Sequence, residues 1–581
     1  MVGTEDTSGA AAGDEIKPYK VHVSSKYLEL TRQKLELTRL PHEAAGSRPS
    51  EDWWEPKPQI ESLIDYWLEK YSWRDHEETL NQTPQFRTAI AVPGADAPLR
   101  LHFVHVKSTR DGAVPLLLIP PFPFSNLALL HLVELFTNPQ EADAATAGNT
   151  ASSSSSQAFD LVIPALPGLG FSDPFPTNTP EIATTAELLN TVMTRLGYQH
   201  YIVTNCGPAR FSPAEIDWKL INYLSTHYQS SCLGAHFIAP SLAKPKLSEA
   251  PIEWAKWTIA STLGAGILGY SQQDFSALKS TPVGTQKSDS KAKVTSYAMC
   301  DSPVGLLSVV MRGLSLQGPR IQLRPEQIIT FTNLAWLPGP EYSMRFWAHC
   351  AADNEDASKS QAKKAWPPSK PNVGITVFLG GEQDDREAAE EGASTAQEVG
   401  EEAIRLESPN KVDIGAAYAC PAWGKIHYNV LFSQRVAGKP GLLAWERPDV
   451  ILAGVIGLVA EILKVDKRLQ PHHALATTPL ETVAVTAAEN EEQDEGDGEA
   501  LLQAQSDGLK PPERPMLEQG DSSRTHVASE PPASPKGKEI ETASENLAKP
   551  DETIGDKEFA RDASVDTVVL VTAPTGEKTK K

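Results

Sequence analysis

Cysteine is scarce in this chain and never grouped. Cys206, Cys232, Cys300, Cys350 and Cys420 are its five cysteines in 581 residues, with no CxxC pair and no metal-ligand spacing. That excludes a disulfide framework and points to a reducing compartment. Long apolar runs are missing as well. The longest, residues 450–463, covers 14 positions with Glu461 as its single charge, whereas a bilayer span takes roughly 20. A buried core helix is expected there, and no membrane-spanning segment. The opening MVGTEDTSGAAAGDE is acidic and lacks the apolar stretch of a signal peptide. No GxSxG is present to supply a serine nucleophile. These absences together read as a soluble, cytoplasmic protein, with no cofactor expected.

Positive charge is also short. The formal net charge is −22, and nucleic acid is not expected as a partner. The acidity is unevenly placed. Residues 481–581 carry 23 acidic against 11 basic side chains, and residues 382–407 carry 10 against 2. Both stretches read as unstructured, as does the small, polar start of the chain. The body between them is close to neutral.

What is there is organised around residues 159–240. FDLVIP reads as a buried strand followed by the Pro/Gly-rich loop LPGLGFSDPFP, and TTAELLNTVMTRL as a helix. HYIVTNCGPARFSPAEIDW then reads as a strand, 201–205, that bends sharply at 204–208. A strand ending in such a turn is the shape of a nucleophile elbow, which holds one reactive side chain above a sheet edge. Further strands are expected at 99–107, 115–119, 161–164 and 373–380, and helices at 185–196, 254–268 and 448–463. Between residues 18 and 86, Ile60, Leu63, Ile64 and Trp67 recur at helical spacing. Trp53, Trp54, Tyr66, Trp67, Tyr71 and Trp73 make this stretch aromatic far beyond the 7% average of the chain.

LIDYWLEKYSWRDHEETLNQTPQF, followed by LHFVHVKS, resembles the N-terminal arm of microsomal-type epoxide hydrolases. DSPVGL at 301–306 and the run 423–449 resemble the same family, and the resemblance extends over residues 18–468. It implies an α/β class protein: an α/β-hydrolase fold with a helical lid, an aromatic-rich N-terminal arm and a disordered acidic C-terminal tail. The implied boundaries are 1–17 disordered, 18–110 arm, 111–468 α/β-hydrolase domain and 469–581 tail. Within the domain the lid spans about 245–370 and the acidic insertion 382–407.

The resemblance also implies a chemistry: a carboxylate nucleophile, a histidine with an orienting acid, an oxyanion loop and two lid tyrosines. Setting Tyr201-Ile202 on the family's YIQGGDWG puts Cys206 at the nucleophile. A thiol there needs a base or strong positive potential, and the alternative is a small buried filler. Asp217-Trp218 copies the Asp-Trp pair eleven residues later. The run WGKIHYNVLFSQRVAGKPGLLAWERPD matches the histidine loop without a gap and puts Gly441 at the histidine. Lys439, His427 and His349 are the other candidates for a base. Glu382 or Asp384 follows the 373–380 strand where the orienting acid is expected, or simply opens a solvated acidic loop. PPFPFS stands for HGWPGS, so Pro120 and Pro121 remove two backbone donors. The lid tyrosines fall on Phe275 and Trp347, neither of which can donate a phenolic proton.

Two readings follow. In one, the chain is an epoxide-hydrolase-like protein that keeps a pocket between lid and sheet for a hydrophobic small molecule but has lost the family chemistry. In the other, it hydrolyses epoxides or esters through Cys206 or Asp217. Residues alone leave the oligomeric state open.

Overall fold

Short, almost wholly apolar runs become the middle of one nine-stranded sheet. In chain order the strands are β1 (Ile16–Pro18), β2 (Gln85–Ile90), β3 (Leu99–Val106), β4 (Val114–Ile119), β5 (Phe159–Pro164), β6 (Tyr201–Asn205), β7 (Cys232–Ile238), β8 (Asn372–Phe378) and β9 (Asn429–Val436). In space they run β1-β2-β3-β5-β4-β6-β7-β8-β9. The pairings from β1 through β3 to β5 are antiparallel, and those from β5 onward are parallel. β6 and β7 are buried at every residue. A strand covered on both faces has no polar side to alternate with, which is why these segments read as continuous apolar runs.

The computed structural model describes residues 15–41, 57–139, 157–176, 179–280, 298–318, 322–359, 369–380 and 418–469. The expected disorder before residue 15, the acidic insertion 382–407 and the tail from residue 470 lie outside the described residues.

The arm carries α1 (Ser25–Glu36), α2 (Lys57–Glu69) and α3 (Trp73–Leu80). The buried side chains of α2 are Ile60, Leu63, Ile64 and Trp67, the four that the helical period selects. The arm does more than wrap the body. Ile16 pairs with Thr88, two residues ahead of the expected start at 18, and β2 and β3 lie within the one sheet. Sheet residues therefore stand on both sides of position 110.

The short α4 (Val133–Thr137) follows β4, while α5 (Glu181–Arg195) and α6 (Ile216–His227) cover one face of the sheet. The lid, between β7 and β8, contains α7 (Pro251–Leu263), α8 (Gln272–Ser280), α9 (Pro303–Leu316), α10 (Pro325–Trp336) and α11 (Glu341–Lys359). Leu63 and Trp67 of the arm join Leu307, Met311 and Ile329 of the lid in one buried cluster. After β9 come α12 (Leu443–Glu446) and α13 (Pro448–Val465).

α13 contains the longest apolar run and lies against the other sheet face, burying Val455, Leu458, Val459 and Ile462. Its approach is close at Gly454, where a Cβ would meet the His236 ring and Thr376 Oγ1. His236 is fully buried, 2.9 Å from Thr204 Oγ1 and 2.8 Å from Thr376 Oγ1. Burial holds its pKa down, at about 3.

Candidate active site

β6 delivers Cys206 to the carboxyl edge of the parallel strands, the edge where ligands bind in open α/β sheets. The chain then departs from a simple strand–turn–helix. Two 3-10 turns, Ala209–Phe211 and Pro213–Glu215, intervene before α6 begins at Ile216. Pro208 and Pro213 have no N–H to continue a helix. Ala214 and Glu215 take φ values of +54° and +56°, a region that costs side-chain-bearing residues about 1–2 kcal/mol each.

That reversal brings Asp217 back to the elbow, although it stands eleven residues beyond Cys206. The Phe122 N–H donates to Asp217 Oδ1 at 3.1 Å, and the Ser212 hydroxyl donates to the same oxygen at 2.9 Å. The carboxyl is 1% exposed. Burial pushes its pKa up to about 7 against the opposing pull of the Phe122 and Ser212 hydrogen bonds. Cys206 is equally buried, and burial together with the nearby Asp217 charge pushes its thiol well above the ordinary range. The pair thus combines a thiol that stays protonated with a carboxyl that titrates near neutrality. Among the described residues, no histidine or cation contributes to either ionisation.

The loop after β4, which the resemblance sets on the family's oxyanion loop, directs the Phe122 N–H to Asp217. Pro120 and Pro121 have no N–H, and Phe124 N closes a turn on Pro121 O at 2.8 Å. The Phe122 N–H between them goes to Asp217. The Phe122 ring stacks on Phe346 of α11 at 6.0 Å, and Phe346 on Phe175 at 6.3 Å. The lid therefore closes onto the oxyanion loop through aromatic faces. Beside Phe346, the Trp347 Nε1 is buried with no hydrogen-bond partner among the described residues. Phe275, on α8, lies within an aromatic group, 5.9 Å from the Trp257 ring.

Gly441 follows β9, in the loop where the resemblance puts the histidine. Its φ is +58°, and a Cβ there would fall on the Glu446 carboxylate. The space that a larger side chain would need is occupied by Glu446 of α12. His427 precedes the amino end of β9, at the opposite end of that strand. His349 Nδ1 lies 2.9 Å from Glu181 Oε1. Glu382 and Asp384 lie outside the described residues.

Asp274, one residue before Phe275, anchors a second buried group. Arg435 of β9 donates to it twice, from Nε at 2.7 Å and from a terminal nitrogen at 2.9 Å; the Tyr418 hydroxyl and the Ser271 N–H donate as well. Burial raises the Asp274 pKa, but the Arg435, Ser271 and Tyr418 hydrogen bonds outweigh it and leave the carboxyl below its usual range. Sequence patterning gave no sign of this ion pair. Asp274 and Arg435 are 161 residues apart, and neither belongs to a local motif.

Among the described residues, no cluster of three or more His, Cys, Asp or Glu could hold a metal ion, and no helix is long and apolar enough to cross a membrane.

Residues 16–129 match the family described as epoxide hydrolase N terminus. Epoxide hydrolase 1 of Sus scrofa is 25% identical over 391 residues, covering 62% of this chain and 78% of that protein. Juvenile hormone epoxide hydrolase 1 of Ctenocephalides felis is 24% identical over 332 residues, covering 55% and 61%. In fold, the chain is similar to the crystal structure of juvenile hormone epoxide hydrolase from the silkworm Bombyx mori. The TM-score is 0.54 at 18% identity, over 78% of this chain and 95% of that one. With its sheet order, its lid and an arm built into the sheet, the chain has the α/β-hydrolase fold, and in sequence it is similar to the microsomal-type epoxide hydrolases.

Proposed function

We propose that this protein holds an apolar, epoxide-like small molecule between lid and sheet without hydrolysing it at an enzymatic rate. The observation that carries this reading is Gly441. Hydrolysis of a covalent ester needs a base that activates water. Gly441 has no proton acceptor in its side chain, and Glu446 fills the space beside it.

The lid supports the same reading. Phe275 cannot donate a hydrogen bond, and Trp347 can donate one but cannot give up a proton to an alkoxide. A buried indole N–H without a partner costs about 1–3 kcal/mol, and an oxygen on a bound ligand would relieve it. The aromatic rings of Phe122, Phe175 and Phe346 fit an apolar ligand.

A second reading, slow ring opening by Asp217, is favoured by the 3.1 Å hydrogen bond from Phe122. An ionised Asp217 could attack an epoxide carbon to form an ester, with the ring oxygen leaving as an alkoxide that solvent protonates. Cys206 is less suited, because its thiol stays protonated.

The test pairs a binding titration with a turnover assay on the purified full chain, using an aryl epoxide. Saturable, reversible binding with no diol above the uncatalysed rate is the expected result. Diol formation that Asp217→Asn abolishes would replace the first reading with the second.

A further inference from the structure

The Asp217 carboxyl uses only one of its two oxygens. Both donors that reach it, the Phe122 N–H and the Ser212 hydroxyl, go to Oδ1. Oδ2 receives no hydrogen bond among the described residues. Nor is it sealed in. Trp347 Nε1 and Trp423 Nε1 are fully enclosed without a partner, and Asp217 Oδ2 is not. It opens onto the small accessible space left at this 1% exposed residue.

A buried carboxylate is ordinarily matched by a cation. The buried Asp274 follows that rule, with Arg435 donating to both of its oxygens. Asp217 does not. Its place in the first turn of α6 favours the ionised form, yet among the described residues no cation acts on it. The helix that carries Phe346 has two basic side chains nearby, and both are committed elsewhere. Arg345 donates to the Phe175 carbonyl at 3.1 Å, and His349 lies 2.9 Å from Glu181. A metal ion would need further ligands, and among the described residues there is no cluster of three to supply them. Beside the carboxyl are aromatic rings: Phe122, whose own N–H holds Oδ1, stacks on Phe346, and Phe346 on Phe175. Such ring faces attract an organic cation as well as an apolar body.

We propose that Asp217 Oδ2 receives the ammonium group of a lipophilic amine, whose apolar body lies against Phe122, Phe175 and Phe346. This rests on the proposed small-molecule pocket between lid and sheet and adds the chemical class of its occupant. The ammonium brings both things that the carboxyl lacks, a donor for Oδ2 and a countercharge. A charge-assisted hydrogen bond of this kind is stronger than one from a neutral donor, so an alcohol of the same shape is the weaker ligand.

The experiment is calorimetric titration of the purified full chain, separately, with 4-phenylbutylamine, with 4-phenylbutan-1-ol and with an aryl epoxide. The amine should bind about thirtyfold or more tightly than the alcohol. In Asp217→Asn that advantage should disappear, with circular dichroism checking that the fold is kept; the comparison of amine with alcohol in the parent chain stands without the variant. Binding of the epoxide and the alcohol with the amine no tighter overturns this proposal and leaves the pocket itself in place. An amine advantage that persists in a folded Asp217→Asn overturns it too, because the cation is then held by another group. Binding of none of the three overturns the pocket and this proposal together.

Discussion

The main-chain N–H of Phe122 and the carboxylate of Asp217 meet at 3.1 Å, joining the loop after β4 to the first turn of α6 across 95 residues of sequence. This bond ties the loop after β4 to the turn after β6, and Asp217 is held there at 1% exposure with its pKa at about 7.

The raised pKa makes Asp217 a pH-dependent liability. Its folded value lies above the ordinary carboxylate value of 3.8, so the folded state binds the proton more tightly than the unfolded chain. Its effect on stability is most favourable below about pH 4 and worsens as pH rises toward 7. The full span is on the order of 4 kcal/mol. Asp217→Asn, which keeps an acceptor oxygen but does not titrate, should gain on the parent chain between pH 5 and pH 8. Denaturant titrations of both proteins at the two pH values measure that difference.

Gly454→Ala should destabilise the fold by about 1–3 kcal/mol through overpacking. The added methyl would meet His236 and Thr376, and the His236 ring is fixed by hydrogen bonds to Thr204 and Thr376. Gly313, where an added Cβ meets nothing within 4 Å, is the control site and should tolerate alanine in the same thermal denaturation.

Asp274→Asn should cost about 3–5 kcal/mol, because it leaves the Arg435 guanidinium mostly buried without its countercharge. The loss should appear first in α8, which Asp274 holds to β9. Amide hydrogen exchange across 272–280 should accelerate more than exchange in β6 or β7.

Gly441→His should not restore hydrolysis. A side chain at φ +58° is strained by about 1–2 kcal/mol, and the new group would have to displace the Glu446 carboxylate. A lower melting temperature with no gain in diol formation is expected; substantial turnover in this single variant would mean that Glu446 yields freely.

The sheet and the arm were legible because their signals are local. Tyr201–Asn205 is a strand bounded as the sequence implies, and Ile60, Leu63, Ile64 and Trp67 are buried on one helix face as their spacing requires. The meeting of Phe122 and Asp217 was not legible. It depends on positive φ at Ala214 and Glu215, and neither alanine nor glutamate advertises that conformation as glycine or asparagine would. An interval of eleven residues does not by itself disclose that the chain doubles back over it. The Glu446 carboxylate beside Gly441 was hidden for a similar reason, since a gapless match gives the position of a residue but not what fills the space next to it.

The proposal that no base activates water at this site is tested most directly by a single-turnover incubation of excess protein with an aryl epoxide in 18O water. Ester formation on Asp217 followed by hydrolysis would place an unlabelled carboxylate oxygen in the diol and 18O in the Asp217 side chain. Direct attack by solvent would place 18O in the diol. Without a base, diol should appear only at the uncatalysed rate, carry 18O, and leave the peptide containing Asp217 unlabelled. Unlabelled diol formed faster than the uncatalysed rate, with 18O recovered on Asp217, would contradict it.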